Sequence, residues 1–589
     1  MKKRIAVSGI IFLALILGTF SLNIFVNKKI EENLEAVLKQ FRSKTGVEVN
    51  IEGIDIKSVS QEIYFKKIEF NSENSFFAGL FECKLQNIGK LYFLKDKNVL
   101  LNCKSSSVDA IELVNIFKGY FSTGRSVKEK KPASGKKHKL SLSIEKAALK
   151  LNEKVKTLSF HLTFENSFGK ILIKELLNKE KEGVAEIAFD SSFTKTNVLL
   201  NGISFDAIES YVAYKAGLNE ISGTVDGFVN ITRDKKMFSA ETDLVFKELS
   251  FSHKLVDSAP FALSFSRFSG FLKGEMESRE FNIENSKISL GGIEGELSLK
   301  REEDKTTAVF EMEKVPLNKL VTLAHSRAFK GYLFGGELSL NVTFLKQDGE
   351  EPTLLVAGEV FEPVQLSERL DYLKQPFLFD FTDKNGLDIS FMVGEQNKNF
   401  IPLDFIPDHI VRAVVISEDA GFFNHKGVDF EEISAALKDS FKKRKMRGGS
   451  TITQQLAKNL FLSGEKTLLR KFREVLLAIE LDATLSKKRM LEIYLNIVEW
   501  APGIFGIVNA SWHYFGKPVY LITPLEAAYL ASVLPGPYKY HYQYLNNKVS
   551  EKWMENLYRI LSVMNDAGYL TLQEYLSALK EELTFYPKD

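Results

Sequence analysis

Apolar residues fall at every second position through VEVNIEGIDI (47–56), EIYFKKIEF (62–70), KLSLSIEKAALKLN (139–152), GTVDGFVNIT (223–232) and GELSLNVTFL (336–345). A period of two is the signature of half-buried β-strands, and it recurs from about Val47 to about Thr382. Glycine-marked returns such as SLGGIEGELSLK (289–300) predict hairpins and bulges, so the region reads as a long antiparallel sheet. SVKEKKPASGKKHK (126–139) interrupts it with charge, Pro, Ser and Gly, and predicts a linker or exposed loop, either simply solvated or drawn to anionic lipid headgroups. Beyond about Gly394 the spacing lengthens to three and four, in DHIVRAVVISEDAGFF, TLLRKFREVLLAIELDATL, SKKRMLEIYLNIVEW and PLEAAYLASVL, which predicts a mainly α domain.

Ahead of both regions, MKKR precedes an uncharged run from Ile5 to Val26 that is long enough to cross a bilayer as a helix. SLNIFVNKKIEENL shows no small-x-small cleavage site, so a retained anchor is expected, with Lys2, Lys3 and Arg4 inside and the chain beyond Lys28 outside. The expected organisation is an α+β multidomain chain: tip and transmembrane anchor 1–28, antiparallel β-rich region 29–393, α domain 394–545 and helical tail 546–589. Its 589 residues exceed what one core can organise. With 44% hydrophobic and 26% charged residues and a net charge of +2, the composition is that of a folded protein and argues against a nucleic-acid partner. Two cysteines, Cys83 and Cys103, exclude a disulfide scaffold and a Cys-rich zinc site; they either pair across neighbouring strands or stay as two core thiols.

Three stretches of the α domain carry candidate chemistry. In EDAGFFNHKG (418–427), Glu418 and Asp419 follow an apolar helix pattern, which puts a carboxylate at a helix end where desolvation suits a general base; an isolated acidic pair more often caps or solvates a helix. RGGSTITQQLAKNLF (447–461) runs from a glycine turn into a helix, an arrangement that grips pyrophosphate or sugar but that also serves as an ordinary N-cap. In RKFREVLLAIELDATLSKKRMLEIYLN (470–496), Arg470 and Glu474 share one helix face opposite Phe472, Val475, Leu476 and Ile479, as a surface salt bridge or as a second carboxylate with cations for a departing phosphate. His425, without a partner at ligand spacing, reads as a loop-ordering hydrogen bonder, with Asn424 and Lys426 in solvent.

Together EDAGFFNHKG, RGGSTITQQLAKN, RKFRE, YLNIVEWAPGIFG and ITPLEAAYLASVLPGPYKY, over about residues 400–545, resemble the motifs of the peptidoglycan glycosyltransferases of glycosyltransferase family 51, and most resemble its monofunctional members. The fifth block carries Ile522 at its start, and Asp482 stands where many members have Glu. The strand-rich region resembles AsmA-type periplasmic proteins that cradle or conduct lipid; the alternative is a spacer that sets another domain's height above the membrane. The glycosyltransferase resemblance implies a lysozyme-like α domain that polymerises lipid II at the outer face of the bacterial cytoplasmic membrane, with inversion and release of undecaprenyl pyrophosphate. It implies Glu418 as general base and Glu474 as second carboxylate, placing the acceptor or a divalent cation, Mg²⁺ or Mn²⁺. It also implies a substrate site drawn from Asp419, Phe422, His425, Arg447, Ser450, Thr451, Gln454, Gln455, Lys458, Asn459, Arg470, Lys471, Tyr494 and Asn496. KTG (44–46) precedes the α domain and SFKK (440–443) lies inside it, so neither reads as part of a serine transpeptidase, and cross-linking is expected of a separate partner. A hydrolase on the same fold, or a lipid-binding scaffold with an idle α domain, are the competing readings.

Overall fold

The computed structural model describes residue 39 and residues 47–109, 138–205, 220–443 and 449–587, apart from short breaks at 58–61, 73–74, 87–96, 152–153, 166–167, 179–180, 191–193, 235, 254–256, 276–277, 279, 325–328, 330–333, 383–387 and 463–466. The expected anchor at 1–28, nearly all of the 126–139 stretch and Arg447 lie outside the described residues. Among the described residues no helix is long and apolar enough to cross a membrane.

The chain forms two compact units: one holds the strands before residue 305, and the other holds residues 305–589 with the short pieces 254–258 and 293–295. In the first unit the alternation resolves into successive strands. Val47–Lys57 pairs antiparallel with Glu62–Ser72, setting Val49 opposite Phe70 and Ile51 opposite Ile68. Glu220–Asp234 pairs with Met237–His253 through a shift at Ser222/Thr224, where Gly223 takes φ +116, a left-handed conformation that glycine adopts without penalty. One pair departs from the expected antiparallel order: Lys97–Asp109 and His138–Leu151 run parallel. Parallel neighbours need a connection of a dozen or more residues, and the residues between these two strands, 110–137, lie outside the described ones. Cys83 and Cys103 face each other in antiparallel register and form a disulfide, buried with Phe65, Ile68 and Leu80.

The second unit extends beyond the expected α domain at both ends. Strands Lys305–Pro316, Phe334–Gln347 and Thr353–Gln365 and the hairpin Phe377–Thr382/Asp388–Val393 belong with the helices, although their sequence period is that of the β-rich region. Periodicity reports the type of an element, while packing decides its unit: Gly358 lies against the Phe430 ring, and Val356 N donates to Ser434 Oγ at 3.2 Å. The helices are α1 (Leu317–Ala324), α2 (Asp408–Glu418), α3 (Phe430–Lys443), α4 (Ile452–Phe461), α5 (Leu468–Thr484), α6 (Lys487–Ile497), α7 (Ile507–Phe515), α8 (Pro524–Val533), α9 (Glu551–Asp566) and α10 (Leu572–Ala578), with two one-turn helices between α8 and α9. The expected tail is part of this body: α9 buries Leu557, Ile560, Leu561 and Met564 in the common core, and Trp553 Nε1 donates to Ser532 Oγ at 2.9 Å.

Candidate active site

Helix α2 buries Ile410, Val411, Ala413, Val414 and Val415 and ends at Glu418, so the apolar run delivers the acid at a helix terminus as its sequence predicts. Gln455 Nε2 donates to Glu418 Oε2 at 2.6 Å, and Tyr494 Oη donates to Gln455 Oε1 at 2.9 Å. Glu418 Oε1 is shut off from solvent and has no hydrogen-bond partner among the described residues. Burial lifts the Glu418 carboxyl above its ordinary value of 4.5, with Asp419 adding to the lift and the Gln455 bond and Lys458 charge opposing it. Burial likewise raises the Tyr494 phenol, aided by the Glu418 and Asp419 charges, so it stays protonated as a donor.

Asp419 does different work from its neighbour. Its carboxylate accepts from Ile452 N at 2.9 Å, one of the N–H groups a helix start leaves unsatisfied, and from His425 Nε2 at 3.0 Å to each oxygen. His425 is thus the loop-ordering residue that its isolation in the sequence suggested. Thr451 and Gln454 close a capping box on α4, and Thr451 Oγ1 donates to Gly427 O at 2.7 Å. Phe422 is wholly buried and meets Phe423 and His425 edge-on. Asn496 donates to Ile401 O at 2.9 Å and accepts from Ile401 N at 3.0 Å. Asp419, Phe422, His425, Thr451, Gln454 and Asn496 are thus each engaged within the protein around Glu418, while Gln454 Nε2 and His425 Nδ1 are buried with no hydrogen-bond partner among the described residues. Caps and loop bonds engage part of the hydrogen-bonding capacity of these hydroxyl, amide and carboxylate side chains. Lys426 is indeed exposed, but its Nζ also reaches Val360 O at 3.2 Å.

Helix α5 brings the second acid. Glu474 is 3% exposed; Arg470 Nη1 donates to its Oε2 at 2.8 Å, Lys471 Nζ bonds its Oε1, and the same ammonium donates to Ser450 Oγ at 2.7 Å. Arg470 Nε is buried without a partner. Lys458, three residues along α4 from Gln455, faces both groups electrostatically. Desolvation by the surrounding protein lowers its pKa, with Arg470 and Lys471 adding to the effect and Glu474 and Glu418 opposing it; the side chain also reaches the surface, so solvent moderates the shift. Asn459 is half-buried on the same helix. Asp482 pairs with Lys487, whose ammonium also donates to His425 O at 2.8 Å and sits 4.7 Å above the Phe422 ring. Nothing in the bare sequence marked Lys487 as part of the site, because its link to the His425 loop spans 62 residues of chain.

The donor set does not fit a protein-held metal ion. Glu474 offers two oxygens already engaged by Arg470 and Lys471, and among the described residues no three His, Cys, Asp or Glu converge at ligand spacing.

A desolvated carboxylate beside a cluster of three cations is the equipment of acid–base chemistry on a substrate with an anionic leaving group. Comparison with known proteins agrees: the transglycosylase family model matches residues 386–565. The chain is 50% identical over 139 residues to the biosynthetic peptidoglycan transglycosylase of Nitrosomonas eutropha, covering 23% of this chain and 57% of that one. To the protein of that description from Alcanivorax borkumensis it is 44% identical over 165 residues, 28% of this chain and 67% of the relative. Penicillin-binding protein 1A of Aquifex aeolicus is 40% identical over 193 residues, 33% of this chain and 26% of that one. A crystal structure of penicillin-binding protein 1A from Haemophilus influenzae aligns over 36% of this chain and 22% of its own, at 20% identity and a TM-score of 0.19, too low to bear on the fold. The chain belongs to the transglycosylase family. It spans little more than half the length of the Nitrosomonas eutropha relative.

Proposed function

We infer that the second unit is a peptidoglycan glycosyltransferase that extends glycan from lipid II. The observation that carries this reading is Glu418 Oε1, buried and without a donor, on a carboxyl whose basicity burial has raised. A buried acceptor lacking its partner is uncommon, and the hydroxyl of an acceptor sugar is the donor that would complete it. Glu418 takes the proton of the acceptor 4-hydroxyl as that oxygen bonds to the anomeric carbon of the donor sugar. The bond from that carbon to the pyrophosphate oxygen breaks on the opposite face, and its electron pair leaves with undecaprenyl pyrophosphate. Arg470, Lys471 and Lys458 spread the departing charge, and Glu474 holds the first two in position. No step is routed through a metal ion.

The α domain in this reading is lysozyme-like and periplasmic, and residues 5–26 anchor the chain in the cytoplasmic membrane. The Cys83–Cys103 disulfide supports an oxidising compartment. Cross-linking is left to a separate transpeptidase, and the strand-rich unit meets the lipid carrier or a partner protein. The test is polymerisation of purified lipid II in detergent by the intact chain and by Glu418→Gln. Long glycan from the first and none from the second is expected. Polymer from both would remove Glu418 as the base, and loss of preformed glycan without synthesis would make the enzyme a hydrolase.

A further inference from the structure

Helix α5 carries Glu474, Arg470 and Lys471, and its placement depends on residues that precede the family match at 386. Arg473, beside Glu474, donates from Nε to Ala324 O at the end of α1, at 2.7 Å. Two turns on, Glu480 is completely buried and is held bidentately by Arg369, with Nε to Oε1 at 2.6 Å and Nη2 to Oε2. On the following helix, Arg489 donates to Leu373 O and Gln375 O, each at 2.9 Å.

We propose that α1 and residues 369–375 are a positioning collar of the catalytic site, with Arg369 and Arg473 its principal positioning residues. The inference rests on the glycosyl-transfer reading above. Its physical basis is registry. One residue of slip along a helix displaces a side chain by about 1.5 Å and turns it by about 100°, which would carry Glu474, Arg470 and Lys471 together away from Ser450 and Lys458. A buried ion pair is a costly way to gain stability, since an apolar pair of similar volume often serves as well, but its bidentate geometry fixes a register. The collar grips α5 at two places about two turns apart, and between them the chain at Gly427 lies directly on the Ala478 carbonyl. The loop that bears Asp419 and His425 is therefore seated on the same helix that the collar holds.

The test uses the full-length chain with Arg369→Met, the double variant Arg369→Met/Glu480→Met, Arg473→Met and Arg473→Lys. Melting temperature, kcat and KM on lipid II, and amide hydrogen exchange over residues 468–484 without substrate are measured. Arg369→Met alone is expected to melt low, because it strands a buried carboxylate. The double variant should regain most of the melting temperature yet keep kcat about tenfold or more below the parent, with KM little changed, as expected of a misplaced catalytic group. Arg473→Lys should recover part of the rate lost in Arg473→Met. Exchange over α5 should rise in the double variant. A double variant with parental kcat and exchange would overturn the proposal and leave Arg369–Glu480 a stability element. If the parent makes no polymer, the functional reading fails while the exchange result still decides the positioning role.

Discussion

Glu418 shows how one side chain trades stability for chemistry. Its folded-state pKa lies above the unfolded value of 4.5 because burial disfavours the charge. Below pH 4.5 both states hold the proton and the site costs nothing; as pH rises through the folded value, the native state must ionise a desolvated group and loses stability relative to the unfolded chain. Glu418→Gln keeps the acceptor for Gln455 and removes the charge, so it should raise the melting temperature by a few degrees near pH 7 while abolishing polymerisation. Scanning calorimetry at pH 7 and pH 4 checks this: the advantage should vanish at the lower pH, and a variant that melts low at both values would contradict the assigned cause. Activity follows the same sign, with an acidic limb lying above 4.5 because the base must be ionised. Tyr494→Phe frees Gln455 from its second bond, weakening the contact that holds the Glu418 pKa down. That limb should move upward with roughly a fivefold loss of kcat, in keeping with one neutral hydrogen bond, as a pH–rate profile would show.

At the scale of elements, the site is a junction of helix termini: the end of α2, the start of α4 and the face of α5. Gly427 is its tightest point, with φ +86 and a position where a Cβ would lie 2.4 Å from the Ala478 carbonyl oxygen. Gly427→Ala should cost about 3 kcal/mol or more, since it combines a strained φ with a backbone clash. Thr451→Ala, which removes an N-cap, should cost about 1 kcal/mol. Denaturant unfolding of both variants would show whether the order holds; equal costs would mean that the loop can lift off α5. The contrast also marks what the sequence made legible. Glu418, Glu474, Arg470 and Lys471 could be found because the chemistry dictates their types and the helix period their faces. The capping role of Gln454 could not be told from the pyrophosphate grip its motif implied, since one T-x-x-Q pattern serves both purposes. The contact of Lys487 with the His425 loop and that of Arg369 with Glu480 were invisible because they span 62 and 111 residues, beyond any local period.

Over the whole molecule, the period of two marks the strands but not the body they pack in: residues 305–393 carry strands yet fall in one compact unit with the helices, because alternation cannot say which neighbour a strand will pack against. What remains in the first unit is a strand assembly with its own covalent staple. Cys83 and Cys103 close a separation of 20 residues across directly opposed positions, a loop whose closure in the unfolded chain is worth about 3 kcal/mol in the chain-entropy account. None of the site residues discussed above lies in that unit. Reduction, or Cys83→Ser with Cys103→Ser, should therefore lower an unfolding transition of the strand unit while leaving that of the helical unit in place. Polymerisation of lipid II in detergent should continue at the parental rate, because Glu418, its hydrogen bonds and the collar are untouched. Calorimetry and a turnover assay on the same sample would decide. Loss of turnover together with the strand transition would show that catalysis leans on the strand unit even with substrate supplied in micelles, which would make that unit part of the enzyme rather than its link to lipid or partner.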